Sequence, residues 1–238
     1  MRTKLLYLRQ LTLTIFVTIF VLSGCATQDS DFADPQDPLE DFNRAIFDFN
    51  DALDRAILEP LSRGYNAITP EPVNRSVTNF FDNLQDINST INSLLQLKFD
   101  SAADSFTRVV INSSLGIGGL FDVASDLRIE RNVEDFGQTL GFWGVQTGPY
   151  IVIPLLGPSS ARDSVGLVVD WYADPVNHIH DNTLRRSLRA LNIIDSRADL
   201  LNASKILNQA ALDPYAFIRD AYLQKRKSQV LDGNLNSE

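Results

Sequence analysis

Residues 39–57 read LEDFNRAIFDFNDALDRAI. Leu39, Phe42, Ile46, Phe49, Leu53 and Ile57 recur at spacings of three and four, with Ala45, Ala52 and Ala56 beside them. Asp41, Arg44, Asp48, Asp51, Asp54 and Arg55 fill the other faces. An apolar stripe with this period predicts an amphipathic helix of roughly 20 residues. Pro60 should stop it, because an internal proline lacks the N–H and clashes with the preceding turn.

The same pattern recurs along the chain. A second helix is expected after Pro70-Glu71-Pro72, where proline suits the first turn, with the stripe Val73, Val77, Phe80, Phe81, Leu84, Ile87, Ile91, Leu94 and Leu95. A third follows Asp100 as N-cap and carries Phe106, Val109 and Val110. A short helix is expected over 133–142, and another, capped by Ser159 or Ser160, runs toward Val169 and Trp171. Two more are expected, from about Asn182 through Ala211 with a break near Asp195, and from Asp213 to about Lys227. The reading is an all-α single domain over 39–227, followed by a loose tail over 228–238.

Two stretches interrupt the periodicity. Leu115-Gly116-Ile117-Gly118-Gly119-Leu120 places three glycines within four residues, which ends a helix or lets backbones approach closely. Gly148-Pro149-Tyr150 through Pro154 to Gly157-Pro158 is an apolar run between two Gly-Pro pairs, and it is expected to be an extended loop.

The N-terminus carries its own message. Arg2, Lys4 and Arg9 precede the apolar run Leu11 to Leu22, and Leu22-Ser23-Gly24-Cys25 follows. Twelve apolar residues are too few to span a bilayer but suit a signal-peptide core. The small residues before the single Cys resemble a bacterial lipobox, so residues 1–24 are expected to be removed and Cys25 acylated. That removal takes three positive charges from a net charge of −9 and leaves −12. The acyl chains would anchor the protein, since each buried CH₂ contributes about 0.8 kcal/mol and two or more chains hold stably. Ala26, rather than Asp, at the next position points to the outer membrane. Residues 25–38 read as a polar tether spanning roughly 20 Å as a coil.

Most chemistry is excluded. An acidic chain with pI near 4.7 lacks the basic face that nucleic-acid binding needs. There is no G-x-S-x-G, no H-E-x-x-H and no Lys-Ser/Thr after the glycines, so lipase, zinc-protease and phosphate-loop readings fall away. His178 and His180 would face different sides of a helix and read as surface or capping residues. Glu134-Asp135 reads as a solvated face or a helix N-terminus. No catalytic residue, metal ligand or cofactor is expected. What stands out is apolar: Phe142, Trp143, Tyr150, Ile151, Val152 and Ile153, with Trp171 and Tyr172 as a second aromatic pair. Trp and Tyr favour the headgroup level of a bilayer. A plain globular core with a buried loop explains the same inventory.

The motifs resemble a known family. Asp37-Pro38-Leu39-Glu40-Asp41-Phe42-Asn43-Arg44 with Ile46-Phe47-Asp48-Phe49-Asn50, then Asn79-Phe80-Phe81-Asp82-Asn83-Leu84, are similar to the opening of the MlaA/VacJ lipoproteins. Phe106-Thr107-Arg108 to Asp122, Phe136-Gly137-Gln138-Thr139-Leu140-Gly141, Gly148-Pro149-Tyr150 to Arg162-Asp163-Ser164, and Asp213-Pro214-Tyr215 with Arg219-Asp220-Ala221-Tyr222 follow in the family's order. The resemblance implies a ring-like helical body partly embedded in the inner leaflet of the outer membrane. It implies retrograde phospholipid transport, with phospholipid, a trimeric outer-membrane porin and a soluble periplasmic lipid carrier as partners. On that reading Gly116, Gly118, Gly119, Tyr150, Pro154 and Gly157 are candidates for channel wall or hinge. Phe42, Phe49, Phe142, Trp143, Ile151 and Ile153 are candidates for membrane contact. A structural or adaptor lipoprotein and a lipid hydrolase are the competing readings.

Overall fold

The computed structural model describes residues 35–233, so the leader and Cys25 lie outside the described residues. The first helix, α1 (Glu40–Leu53), does not end at Pro60. It passes through a π turn (Asp54–Leu58) into α2 (Glu59–Ile68). The wide turn accommodates the proline: the Glu59 N–H bonds back five residues to the Asp54 carbonyl, which relieves the crowding Pro60 would meet in a regular α turn. The same turn aims Asp54 at α8 (Asn182–Asp199), where Arg197 donates two bonds of 2.7 Å to its carboxylate.

After α3 (Glu71–Leu95) and α4 (Phe99–Ser114) come the short α5 (Val123–Asp126) and α6 (Phe136–Phe142). Asp100 lies inside the first turn of α4 rather than capping it. Asp135 caps α6 by accepting from the Gln138 N–H at 2.9 Å, which starts the helix three residues later than expected from the sequence.

The 149–158 run is not an irregular loop. It forms a hairpin of β1 (Tyr150–Ile153) and β2 (Gly157–Ser160), with Tyr150 opposite Ser160 and Ile153 opposite Gly157. Ser160 then caps α7 (Ala161–Ala173) through the Asp163 N–H. A 3₁₀ turn (Pro175–His178) leads to α8, and α9 (Leu201–Ala210) and α10 (Pro214–Val230) complete the chain. The break after α8 falls at Leu200, not near Asp195, which is buried and holds Tyr65 and Thr78. The last helix runs to Val230 and Lys98 binds Asp232 at 2.5 Å in the turn after it, so residues 228–232 belong to the folded body rather than to the expected tail.

Side-by-side packing runs from α1 to the hairpin, then α7, α6, α3, α8 and α2, and returns through the π turn to α1. The helices therefore close a ring. α10 packs on α6 and β2 outside that circuit.

Buried charge pins the ring together. Arg226 of α10 donates to both oxygens of Asp135 at 2.6 and 2.9 Å, and to both of Asp163 at 3.0 Å. Burial pushes the Asp163 carboxyl up, but the Arg226 guanidinium and the Tyr222 hydroxyl outweigh it and hold it at about 2. Asp122 is likewise raised by burial, lowered by Ser125, Asn112 and Arg108, and ends at about 2. Folded-state values below the unfolded one mean that this stability is full above about pH 4 and is lost as pH falls toward 2, by roughly 2 kcal/mol per group. Thermal melts of the purified protein should therefore fall steeply between pH 4 and 2 and stay nearly flat from 5 to 8. A melting temperature unchanged down to pH 2.5 would contradict this assignment.

Candidate functional site

The partition of side chains is reversed from that of a water-soluble domain. Among the described residues twenty-one polar or charged residues are buried against eight apolar ones. Buried polar groups normally form the minority. On α3 the inward face is Phe81, Asn83, Asp86, Ser89, Asn92 and Ser93, while Val73, Ile91, Leu94 and Leu95 of the expected core stripe point outward. On α4 the inward face is Ala102, Ser105, Arg108 and Asn112, while Phe106 and Val110 are exposed. The apolar cluster of fully buried residues is small: Tyr150, Val152 and Tyr215.

Most of this polar interior is hydrogen-bonded, as it must be to persist; among the described residues the Ser93 hydroxyl and the side-chain carbonyls of Asn83 and Gln96 are exceptions. Arg108 is buried with all five donors used. Nε reaches Asp86 at 3.0 Å, Nη1 reaches Ser125 and the Ile129 carbonyl, and Nη2 spans both Asp122 oxygens at 3.0 Å. Arg131 takes the other oxygen of Asp86 at 3.1 Å and pairs with Asp82 at 2.8 Å.

A cavity of about 800 Å³ has its wall from α3, the hairpin, α7, the 3₁₀ turn and α8. Its polar part includes Asp82, Gln85, Asn88, Asp170, Arg189 and Asn192. Its apolar part includes Ile153, Leu156, Leu167 and Val168, and Trp171 and Tyr172 also line it. Arg189 reaches Asp174 at 3.0 Å and lies 6.0 Å from the Trp171 ring centre. Asp170 accepts from Asn88 at 2.8 Å and from the Phe136 N–H at 3.1 Å. Burial raises its pKa from the ordinary carboxylate value, against the pull of these donors. Gly166 lets α7 carry Asp170 this close: a Cβ there would sit 2.5 Å from the Gly137 nitrogen of α6.

The hairpin's outer edge is held by side chains instead of a third strand. Asn43 donates to the Tyr150 carbonyl at 3.0 Å and accepts from the Val152 N–H at 2.9 Å. Seven residues on, Asn50 repeats the grip, donating to the Ile153 carbonyl at 3.0 Å and accepting from the Leu155 N–H at 2.8 Å. Two helical turns rise by about the length of three extended residues, so the register matches. The tether's end joins in: Gln36 accepts from the Tyr150 N–H, and Asp37 is buried against Asn43 and Tyr215. The polar tether therefore stops short of residue 38.

The candidate channel residues divide. Tyr150 is fully buried among Tyr215 and Tyr222 and does not line the cavity. Pro154 and Gly157 sit at the hairpin turn, also away from the wall, while their neighbours Ile153 and Leu156 line it. Gly116 and Gly119 are close-packing positions. A Cβ on Gly116 would meet the Phe121 carbonyl at 2.1 Å, and one on Gly119 would meet Asn83 at 2.8 Å. Gly118 alone of the three has open space, and none of them lines the cavity. Of the contact candidates, Phe42, Phe49, Phe142 and Trp143 are exposed, whereas Ile151 and Ile153 are half-buried and Ile153 faces the cavity. The sequence reading missed Asp170, Arg189 and Asn192. Its signal was available on α3, whose inner face is rich in Asn, Ser and Asp but holds no Lys or Glu, unlike a solvated helix face. His178 and His180 are exposed, and no group of His, Cys, Asp and Glu among the described residues could hold a metal ion.

A helical ring with an apolar exterior, a charged interior and a partly polar cavity defines a protein built for apolar surroundings that handles polar or amphipathic cargo. No helix among the described residues is long and apolar enough to cross a membrane. The family model of the MlaA lipoprotein matches residues 35–229, and the chain belongs to that family. It is 33% identical over 235 residues to the intermembrane phospholipid transport system lipoprotein MlaA of Escherichia coli, covering 97% of this chain and 92% of that protein. The protein of the same description from Haemophilus influenzae is 36% identical over 230 residues, covering 94% and 91%. An uncharacterized protein of Rickettsia typhi is 38% identical over 195 residues, covering 82% and 78%. A solved chain described under "Structural basis for maintenance of bacterial outer membrane lipid asymmetry" is similar with a TM-score of 0.72 and 33% identity, covering 82% of this chain and 98% of that one.

Proposed function

We propose that this protein is an outer-membrane lipoprotein, acylated at Cys25 on the periplasmic side, that removes mislocalised phospholipid from the outer leaflet and passes it to a soluble periplasmic carrier. The observation that carries this reading is the reversed partition around the cavity. An exterior with Phe49, Ile68, Phe106 and Ile117 more than half exposed is costly in water and suited to lipid tails. A charged headgroup entering hydrocarbon alone costs several kcal/mol. A preformed cavity with polar groups such as Asp170, Arg189 and Asn192 set in an apolar wall offsets that cost, and the transfer needs no covalent step. That the Escherichia coli and Haemophilus influenzae relatives are intermembrane phospholipid transport system lipoproteins supports the same reading. A trimeric porin would hold the ring within the leaflet.

The test places a photo-reactive amino acid at Asn192 in the cavity wall and at Arg186 on the exposed side of α8. Irradiation of cells should give phospholipid adducts at 192 and few at 186. A folded, membrane-bound protein giving no adduct at 192 would refute lipid passage and leave the adaptor reading. Cys25→Ser should lose the acyl chains and the membrane association with them.

A further inference from the structure

The cavity wall carries three carboxylates, and two of them are neutralised. Asp174 pairs with Arg189 at 3.0 Å, and Asp82 with Arg131 at 2.8 Å. Asp170 differs. Its partners are the Asn88 amide at 2.8 Å, the Phe136 N–H at 3.1 Å and the Asn92 amide at 3.5 Å, all neutral donors. No Lys or Arg among the described residues forms an ion pair with it. These donors orient the carboxylate without cancelling its charge. Arg189 is the one cationic side chain in the wall among the described residues, and it is committed to Asp174. Asp170 is therefore the wall carboxylate that has no cationic partner among the described residues.

We propose that the cavity selects phospholipids whose headgroup carries an ammonium group, and that the Asp170 carboxylate receives it. This rests on the reading of the cavity as a lipid site. A headgroup whose only charge is its phosphate meets a like charge at Asp170. A zwitterionic headgroup brings its own cation to that carboxylate and leaves its phosphate to the Asn192 amide or the Arg189 edge. Leu156, Leu167 and Val168 offer an apolar flank for the start of the acyl chains. Two unit charges about 5 Å apart, at an effective dielectric near 20, correspond to more than tenfold in an equilibrium. Bonding to Asn88 and Phe136 needs only an acceptor oxygen, which asparagine also supplies. A purely structural role for Asp170 would therefore leave headgroup choice unmoved.

The experiment equilibrates the purified acylated protein with detergent micelles equimolar in dioleoyl phosphatidylethanolamine and dioleoyl phosphatidylglycerol. The bound lipid is then quantified by mass spectrometry. The unmodified protein should hold the ethanolamine lipid at least about tenfold over the glycerol lipid. Asp170→Asn should bring the ratio within about twofold of unity, a loss of the tenfold charge term. Arg189→Gln releases the Asp174 charge and should raise the ratio further, and it decides the matter if Asp170→Asn does not fold. An unmodified ratio near unity, a preference for the glycerol lipid, a preference retained by folded Asp170→Asn, or an Arg189→Gln ratio that does not rise would each overturn headgroup selection while leaving lipid binding in place. Absence of both lipids from the unmodified protein would overturn the lipid reading itself, and this proposal with it.

Discussion

Arg108→Met should destabilise the fold by about 3–5 kcal/mol, the usual cost of leaving a buried charge without its partner. The substitution keeps the length and apolar stem of the side chain, so packing changes little. What it removes is the guanidinium that joins Asp86 of α3 to Asp122 before α5. Asp86 retains Arg131, but Asp122 loses the one cation bonded to it and keeps only neutral donors. Arg108→Lys should recover only part of the loss, because an ammonium has three donors where the site uses five N–H groups. At about 2–4 °C per kcal/mol for a domain of this size, the Met variant should melt about 6–20 °C lower. Circular dichroism melts in detergent provide the measurement. The contrasting case is Arg75→Ala, which removes an exposed pair with Glu71 one helical turn away and should change stability by less than about 0.5 kcal/mol. Equal losses for the two variants would show that burial does not set the energy of the Arg108 network.

Asn43→Ala should be the second large loss, at about 3 kcal/mol. It strands the buried Val152 N–H and Tyr150 carbonyl, each costing about 1–3 kcal/mol when unpaired. It also takes one donor from buried Asp37, which keeps the Tyr215 hydroxyl and Arg219. The effect should be local as well as global, because the hairpin loses the grip of its outer edge. Hydrogen exchange at the Val152 amide should accelerate by more than the global destabilisation explains, and cleavage between 149 and 158 should appear on limited proteolysis. Asn50→Ala grips the exposed end of the same edge and should cost about 1 kcal/mol. Unchanged protection at Val152 in the Asn43 variant would mean that β2 alone holds the strand.

These two sites illustrate what could be read from the sequence. The helices of the ring were legible because period is a local property, and the caps Asp135, Ser160 and Asp213 follow from residue chemistry at helix starts. Pro60 misled because its local rule assumes a regular α turn, and the chain supplies a π turn instead. The hairpin was hidden because Pro154 interrupts its apolar run. Its exposed tip, with Leu155 at φ 69°, is supported by Asn50 from more than a hundred residues away. Of the two readings the sequence offered for the glycines, close approach describes Gly116 and Gly119, whose neighbours Phe121 and Asn83 leave no room for a Cβ; which neighbours these are, the sequence alone does not reveal.

The chain by itself determined most of the helices and showed that the familiar catalytic motifs are missing. Only the tertiary structure decided which face of each helix points inward. Periodicity divides a helix into two faces but does not say what medium each will meet, and the hydrophobic effect that usually buries the apolar one requires water outside. Here polar faces turn in, because ion pairs such as Arg226 with Asp135, 91 residues apart, and Arg197 with Asp54, 143 apart, form only once distant helices pack against one another. The cavity and the unneutralised carboxylate of Asp170 are consequences of that closure, assembled from segments far apart in the chain.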